Sequence, residues 1–559
     1  MQRSLSVLFL ACAGPLLPAQ GDSTFVREFG SDGARGGYRL KFDDAGAGLV
    51  YAMTLDHYVT AAARDKPVHG PADWMLLVWG GGDYAFRVGE LANGDRLFAQ
   101  DLWTARWQRK EEADGAITFA IVSDGLRLEK TFRHRPDQRG LSLELRVVNE
   151  EYTPKDRQQL RLQLLGPTLV ARADVGLIGT QAFAIAQPAG GAPVHHAPDA
   201  EMHELLALGG QELAMAGTTN RFFGGFLFPL DDGARHAVQT VTMQSLPVVE
   251  DPSLQIRART MPRVELALQL PVPARGSATV ATFGVYLGPK SLHVFGESDE
   301  HQRFLPVMDV DLEPPCCGSI VVPGGRYMAT MLVKLLGWFH SVVGEWGIAI
   351  MLLTILVRGC LAPLNFRMQK SMRAFGKRMA VLKPKMDALK ARYSDDPKAY
   401  QQAMLQFNRE HKLMPPLGGC LPIFLTMPIY VGLFTALRTA YDLRQERFLF
   451  MHDLSLPDTL FELPFWPHSF NIMPLLWLTL MIVLQLRMPL PTDPQQRQMQ
   501  QMMRFMPLIF GVLLYNYASG LLVYMVTSML WTFVESAITK KILGPIDPNA
   551  AAMAPPPVM

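Results

Sequence analysis

Trp346-Gly-Ile-Ala-Ile-Met-Leu-Leu-Thr-Ile-Leu-Val-Arg-Gly-Cys-Leu-Ala-Pro363 is an apolar run of membrane length with a single full charge, Arg358, inside it. Arg358 lies thirteen positions after Glu345 and nine before Arg367. At ~1.5 Å per residue it sits about 20 Å below the outer end of such a helix. An arginine there costs ~2.5–3.5 kcal/mol on insertion scales. The side chain therefore faces protein or a water-filled cavity, or it snorkels to the cytoplasmic headgroups. Thr354 lies one turn earlier on the same face. No acidic partner is obvious; Glu535, near the end of the last apolar run, is the candidate.

Outward from this run the pattern repeats. Further spans are expected near 420–437, 471–488, 500–515 and 521–538, the last two separated by the polar turn Asn516-Tyr-Ala-Ser-Gly520. With 346–363 this makes a helical core of five spans within 344–541. Residues 326–343 are apolar at helical spacing just before the first span and are expected to form an interfacial helix. Between Arg367 and Lys412 there are twelve Lys/Arg against four Asp/Glu, whereas Tyr441 to Phe470 holds two Arg against five acidic residues. The positive-inside bias makes 367–412 cytoplasmic and 441–470 external, with the 542–559 tail cytoplasmic. Within 367–412, Met368, Met372, Phe375, Met379 and Leu382 form one stripe, and Asp395-Asp396-Pro397 turns the chain into a second helix. This basic helical hairpin carries Lys377, Arg378 and Lys385, which would meet ribosomal RNA or anionic lipid. A solvated loop without a partner fits the charge nearly as well.

Upstream, residues 22–310 change to period-2 alternation such as Leu126-Arg-Leu-Glu-Lys-Thr-Phe132 and Leu141-Ser-Leu-Glu-Leu-Arg-Val147, with turn clusters at 136–140 and Asp231-Asp-Gly233. That pattern predicts a large antiparallel β-sandwich, placed outside the membrane by the same topology. The first residues, 1–21, hold one Arg, a short apolar run and two prolines, and are expected to be an export signal or a poorly formed anchor.

The 559 residues balance 53 Lys+Arg against 51 Asp+Glu, which excludes a generally basic DNA binder. Five cysteines, with no C-x-x-C pair, indicate neither a disulfide scaffold nor a metal site. No phosphate loop, H-E-x-x-H or G-x-S-x-G occurs, so neither an enzyme nor a cofactor is expected. A secondary transporter would need several intramembrane polar sites where only Arg358 stands out. A membrane-anchored carbohydrate-active protein would need paired carboxylates in a cleft, and Glu144, Glu212 and Glu265 show no such pairing in the sequence.

The C-terminal half resembles the YidC/Oxa/Alb membrane protein insertase family. The resemblance rests on ordered motifs: Trp338-Phe-His-Ser341 with Gly344-Glu-Trp-Gly347, Thr354-Ile-Leu-Val-Arg358 with Pro363-Leu364, Gln369-Lys-Ser-Met372, and Asp395-Asp-Pro397. They continue through Leu417-Gly-Gly-Cys-Leu-Pro422, Met427-Pro428, Phe448 to Leu454, Met506-Pro-Leu-Ile-Phe510 and Ser519-Gly-Leu-Leu-Val-Tyr524. The β-domain resembles the large periplasmic domain of Gram-negative members, a supersandwich, through Leu128-Glu-Lys-Thr-Phe132, Phe222 to Pro229 and Tyr286-Leu-Gly-Pro-Lys290. The chain departs from the family at Pro415-Pro416, in its short leader and in its short tail, which ends near Pro555-Pro-Pro557. The resemblance implies an inner-membrane insertase and chaperone whose hydrophilic groove is lined by Arg358, Thr354 and Tyr524. Its implied partners are nascent membrane proteins, the Sec translocon, the ribosome and lipid.

Overall fold

The computed structural model describes residues 23–79, 84–91, 96–155, 158–169, 182–196, 203–247, 260–310, 325–393, 396–411, 429, 432–434, 436–437, 440–462, 469–486, 505 and 507–544. The leader at 1–21, most of the span expected at 420–437, and the tail after 544 lie outside them.

Alternating apolar residues build three antiparallel sheets. Strands β1 (Thr24–Phe29), β2 (Tyr38–Asp43), β3 (Gly48–Tyr58) and β4 (Trp74–Trp79) form a meander. A second sheet, in spatial order, joins β13 (His203–Ala207), β16 (Val238–Pro247), β17 (Thr260–Pro271), β10 (Gln159–Leu165) and β5 (Val88–Glu90). The third has nine strands: β12 (Val194–His196), β11 (Phe183–Pro188), β14 (Leu213–Thr219), β15 (Phe223–Pro229), β18 (Ala278–Pro289), β9 (Gly140–Asn149), β8 (Leu126–Arg135), β7 (Ile117–Ser123) and β6 (Gln108–Glu111). The two runs quoted above fall in β8 and β9, which pair with Leu128 opposite Val147 and Phe132 opposite Leu143. Inward side chains of all three sheets, among them Phe42, Phe132, Leu143, Leu162 and Leu266, share one core. The expected turn at Asp231 is instead the start of a short helix, Asp232–Ala237. The Asp231 carboxylate accepts from Ala234 N at 2.7 Å and from Thr282 N at 2.9 Å, so one residue both caps the helix and fixes it to β18.

Alternation also turns Lys130 inward. It is fully buried, and its amine donates to the Phe86 carbonyl at 2.6 Å, with the Trp107 and Phe132 rings each 5.6 Å away. Burial, and then the nearby Arg87 charge, push its pKa well below the ordinary lysine value. The unfolded chain keeps the ordinary value and so binds more protons between the two, which makes stability rise with pH through that window. We expect this group to contribute a slope of up to ~1.4 kcal/mol per pH unit on the approach to the ordinary lysine range. The slope should vanish in Lys130→Met. Denaturant unfolding of the purified chain across alkaline pH measures it, and identical slopes in the two proteins would contradict the buried amine.

Downstream, a helix over Gly325–Val343 buries Ala329, Leu332 and Leu336 on one face while Trp338 and Val342 stay exposed on another. Gly344, at φ +75°, makes the left-handed turn into the next helix, where a side chain would be strained. That helix runs unbroken from Trp346 to Arg392 with Pro363 and Pro384 inside it. The first span and the first hairpin helix, expected as separate segments, are therefore one element. A proline removes one backbone bond, which kinks a helix without ending it when the residues on both sides are good helix formers. Asp396 caps the following helix, Pro397–Glu410, by accepting from Lys398 N and Ala399 N, with Pro397 at the first helical position. Helices Ile472–Leu486 and Ser519–Leu543 lie where two further spans are expected, the first of them shorter than the expected span, and residues 507–513 are helical within a third expected range. Among the described residues, the two helices long and apolar enough to cross a membrane are Trp346–Ser371 and Ser519–Leu543.

Candidate functional site: a polar seam between two parallel helices

The long helix and the last helix run in the same direction, and their contacts share one register. Gly520 faces the Ile350 side chain, Arg358 donates to the Ser528 hydroxyl, and the Asn365 side chain lies beside Glu535. Each pairing is offset by 170 positions, as 528 − 358 = 170. The same offset sets Thr354 level with Tyr524. Two parallel helices hold such a register when layers repeat at seven- and four-residue steps. The three residues singled out in the sequence thus occupy two adjacent layers of one seam.

The layers differ in character. Thr354 and Tyr524 are buried, and the Thr354 hydroxyl donates back to the Ile350 carbonyl at 2.7 Å. Arg358 is half-buried, with Ser528 as its neighbour across the seam. Glu535, expected as the acidic partner of Arg358, lies two turns further along, where Gln369 also approaches it at 3.5 Å. Ser528 and Asn365 escaped the sequence reading because a single hydroxyl or amide in or beside an apolar run has no signature, and Gln369 entered it only as part of a motif. The signal that could have found them is the seven-residue spacing shared by Arg358/Asn365 and Ser528/Glu535. On the basic helices, Lys385 is exposed; Lys377 and Arg378 lie in the helix backbone, their side chains outside the described residues.

One end of the seam is closed by residues 441–462. Gly520 N donates to Leu454 O, Ser519 N to Leu456 O and Ser519 Oγ to Asp453 O, each at 2.8–2.9 Å. Asp458 caps helix Ile472–Leu486 by accepting from Ile472 N and Met473 N. Phe448 packs so closely that a Cβ at Gly347 would stand 2.1 Å from its ring. Gly347→Val must expel that ring, so we expect a cost of ~1–3 kcal/mol. A lower melting temperature and faster proteolysis within 441–458 are the readouts, and wild-type melting would contradict the packing.

The same segment seats in the β-domain. Arg444 donates to Tyr58 O at 2.7 Å, Gln445 to the same carbonyl at 2.6 Å, and Arg64 to Gln445 O at 2.7 Å. Ser291 donates to Asp442 at 2.9 Å, and the Tyr441 ring lies 5.7 Å from both His57 and Phe223. Burial raises the Asp442 carboxyl pKa against the opposing Ser291 hydrogen bond. Burial acts the same way on Asp56, but hydrogen bonds from His57, Thr54 and Gly36 N outweigh it and hold that carboxyl below the usual range. Among the described residues no group of His, Cys, Asp and Glu could hold a metal ion.

An apolar helical stretch with one cation inside it, seamed to a second apolar helix and joined at one end to a segment seated in the β-domain, makes the helical part of the chain two membrane-length helices around a polar seam. Residues 338–545 match the model of the 60Kd inner membrane protein family. It is 31% identical over 295 residues to a membrane protein insertase YidC of Neisseria meningitidis serogroup C (52% of this chain, 48% of that protein). It is 36% identical over 213 residues to one of Pseudoalteromonas atlantica (38% and 36%). The chain thus spans about half the length of the curated relatives it matches, or less. Among solved structures, an active YidC insertase covers 91% of this chain and 94% of its own at 16% identity and TM-score 0.34. A galactose mutarotase related enzyme from Lactobacillus acidophilus covers 47% and 97% at 11% identity and TM-score 0.30. Both scores are too low to establish a shared fold.

Proposed function

We propose that this protein is a membrane protein insertase. The observation that carries the reading is the seam: a half-buried Arg358 held against Ser528 between two membrane-length helices whose one end is closed by 453–458. A positive charge inside a wet groove attracts an acidic residue of a segment's leading tail. The segment's ~20 apolar residues then partition sideways into lipid, which supplies the driving force without a nucleotide. Arg358, Thr354 and Tyr524 line that groove.

In this reading the core has five spans in the inner membrane, the β-domain is periplasmic, and the basic hairpin at 367–412 and the C-terminus are cytoplasmic. Lys377, Arg378 and Lys385 contact the ribosome or anionic lipid. The clients are nascent membrane proteins, received directly or from the Sec translocon. No catalytic step, cofactor or DNA partner is involved. The alternatives, a secondary transporter and an anchored carbohydrate-active protein, have no comparable observation in their favour.

Reconstitution tests the proposal. Proteoliposomes holding the full chain should protect a single-span substrate from added protease well above protein-free vesicles. Equal protection in both would end the insertase reading.

A further inference from the structure

The seam carries two charges in a fixed order, and the second is unexplained by anything above. Glu535 lies seven residues beyond Ser528, about 10 Å further along the helix at 1.5 Å per residue. It sits on the face that meets the long helix, beside Asn365 and approached by Gln369 at 3.5 Å. The amides of Asn365 and Gln369 border the carboxylate, and Arg358 acts on it electrostatically from two turns away. Arg367 lines the same space, yet no ion pair joins it to Glu535 among the described residues.

Beside Glu535 opens a cleft of about 350 Å³ whose walls are Ala362, Pro363, Phe366, Trp531, Val534 and Ile538. The Trp531 indole N–H is buried without a hydrogen-bond partner among the described residues. An apolar cleft with one carboxylate at its edge suits a particular guest: a side chain with a long methylene stem and a cationic head, which buries the stem and keeps the head near water. Lysine and arginine have that form.

We propose that Glu535 is a specificity-determining residue that receives a Lys or Arg from the cytoplasmic flank of the incoming membrane segment. The inference rests on the insertase reading. With Arg358 deep in the seam and Glu535 about two turns nearer the cytoplasmic end, the groove presents positive then negative. A client that obeys the positive-inside bias presents the complement, an acidic or neutral leading tail followed by a basic flank. The preferred substrate class is therefore a single-span segment with basic residues directly after its apolar stretch, and the cleft reads orientation before lipid does.

The test uses the full chain in zwitterionic vesicles, so that anionic lipid does not favour basic flanks by itself. Two substrates differ only in the flank, Lys-Lys or Gln-Gln, and the readout is the ratio of their protease-protected yields after subtraction of protein-free vesicles. Wild type should favour Lys-Lys by about fivefold, the size of one partly screened ion pair. Glu535→Gln should bring the ratio near one, Glu535→Lys below one, and Glu535→Asp should keep part of the preference. An unchanged ratio in Glu535→Gln and Glu535→Lys, at wild-type abundance in the vesicles, would overturn the assignment while leaving the insertase reading intact. If wild type inserts neither substrate, the insertase reading falls and this inference with it.

Discussion

Arg358→Ala is expected to lower insertion of a single-span substrate with an acidic leading tail by about tenfold to a hundredfold. The estimate follows from Coulomb attraction: two unit charges ~6 Å apart at an effective dielectric near 20 gain ~3 kcal/mol, and water in the groove reduces that. Removing the guanidinium also leaves the Ser528 hydroxyl facing an empty layer. Because the side chain is half-buried and its contact is a single hydroxyl across the seam, its loss should act on substrate capture more than on stability. Arg358→Lys keeps the charge and loses the planar fork, so it should fall between wild type and alanine. Protease-protected yield measures the series. Equal yields from wild type and Arg358→Ala would remove the charge from the mechanism.

The second large effect is expected on the basic helices. Reversing Lys377, Arg378 and Lys385 to Glu should weaken recruitment to an anionic partner by about a hundredfold or more, since each basic residue near a charged surface is worth ~1 kcal/mol and reversal adds repulsion. Lys385 is exposed on the long helix, about 40 Å beyond Arg358 at 1.5 Å per residue, and so sits clear of the seam. Flotation with anionic vesicles and co-sedimentation with ribosomes distinguish the two partners. The effect should shrink steeply as salt rises. Undiminished recruitment to both would favour a solvated helix face without a partner.

Much of the architecture was legible in the sequence because burial leaves periodic traces. The alternation in β8 and β9 located two central strands, and Asp395-Asp396-Pro397 located a helix start, since capping chemistry is local. Arg358 was legible because an isolated charge in an apolar run is costly wherever it points. Its direct neighbour was not: the sequence offered Glu535 by charge sign, and the helix register sets Ser528 in contact with Arg358 while Glu535 acts on it electrostatically from two turns away. The continuity of the long helix through Pro363 was hidden for a related reason, as neighbouring packing decides whether a proline ends a helix or bends it. Lys130 was visible only as one more polar letter in an alternating run, although its parity already turned it inward. The seating of Tyr441, Arg444 and Gln445 in the β-domain joins residues nearly 400 positions apart and has no local trace at all. It refines the β-domain's role. The contacts that close the seam, between 453–458 and 519–520, are internal to the helical part, while 441–447 ties that part to the sheets.

Photocrosslinking of a stalled nascent membrane segment tests the central claim most directly. A photoreactive residue at Tyr524, one turn above Ser528 in the seam, is compared with one at Leu530, which is 48% exposed and points away from it. Both are placed in the full chain, with the segment held at the length where its apolar stretch has just left the ribosome. The account predicts a strong crosslink from 524 and little from 530. A segment that crosslinks from 530 and not from 524 would contradict passage along the seam.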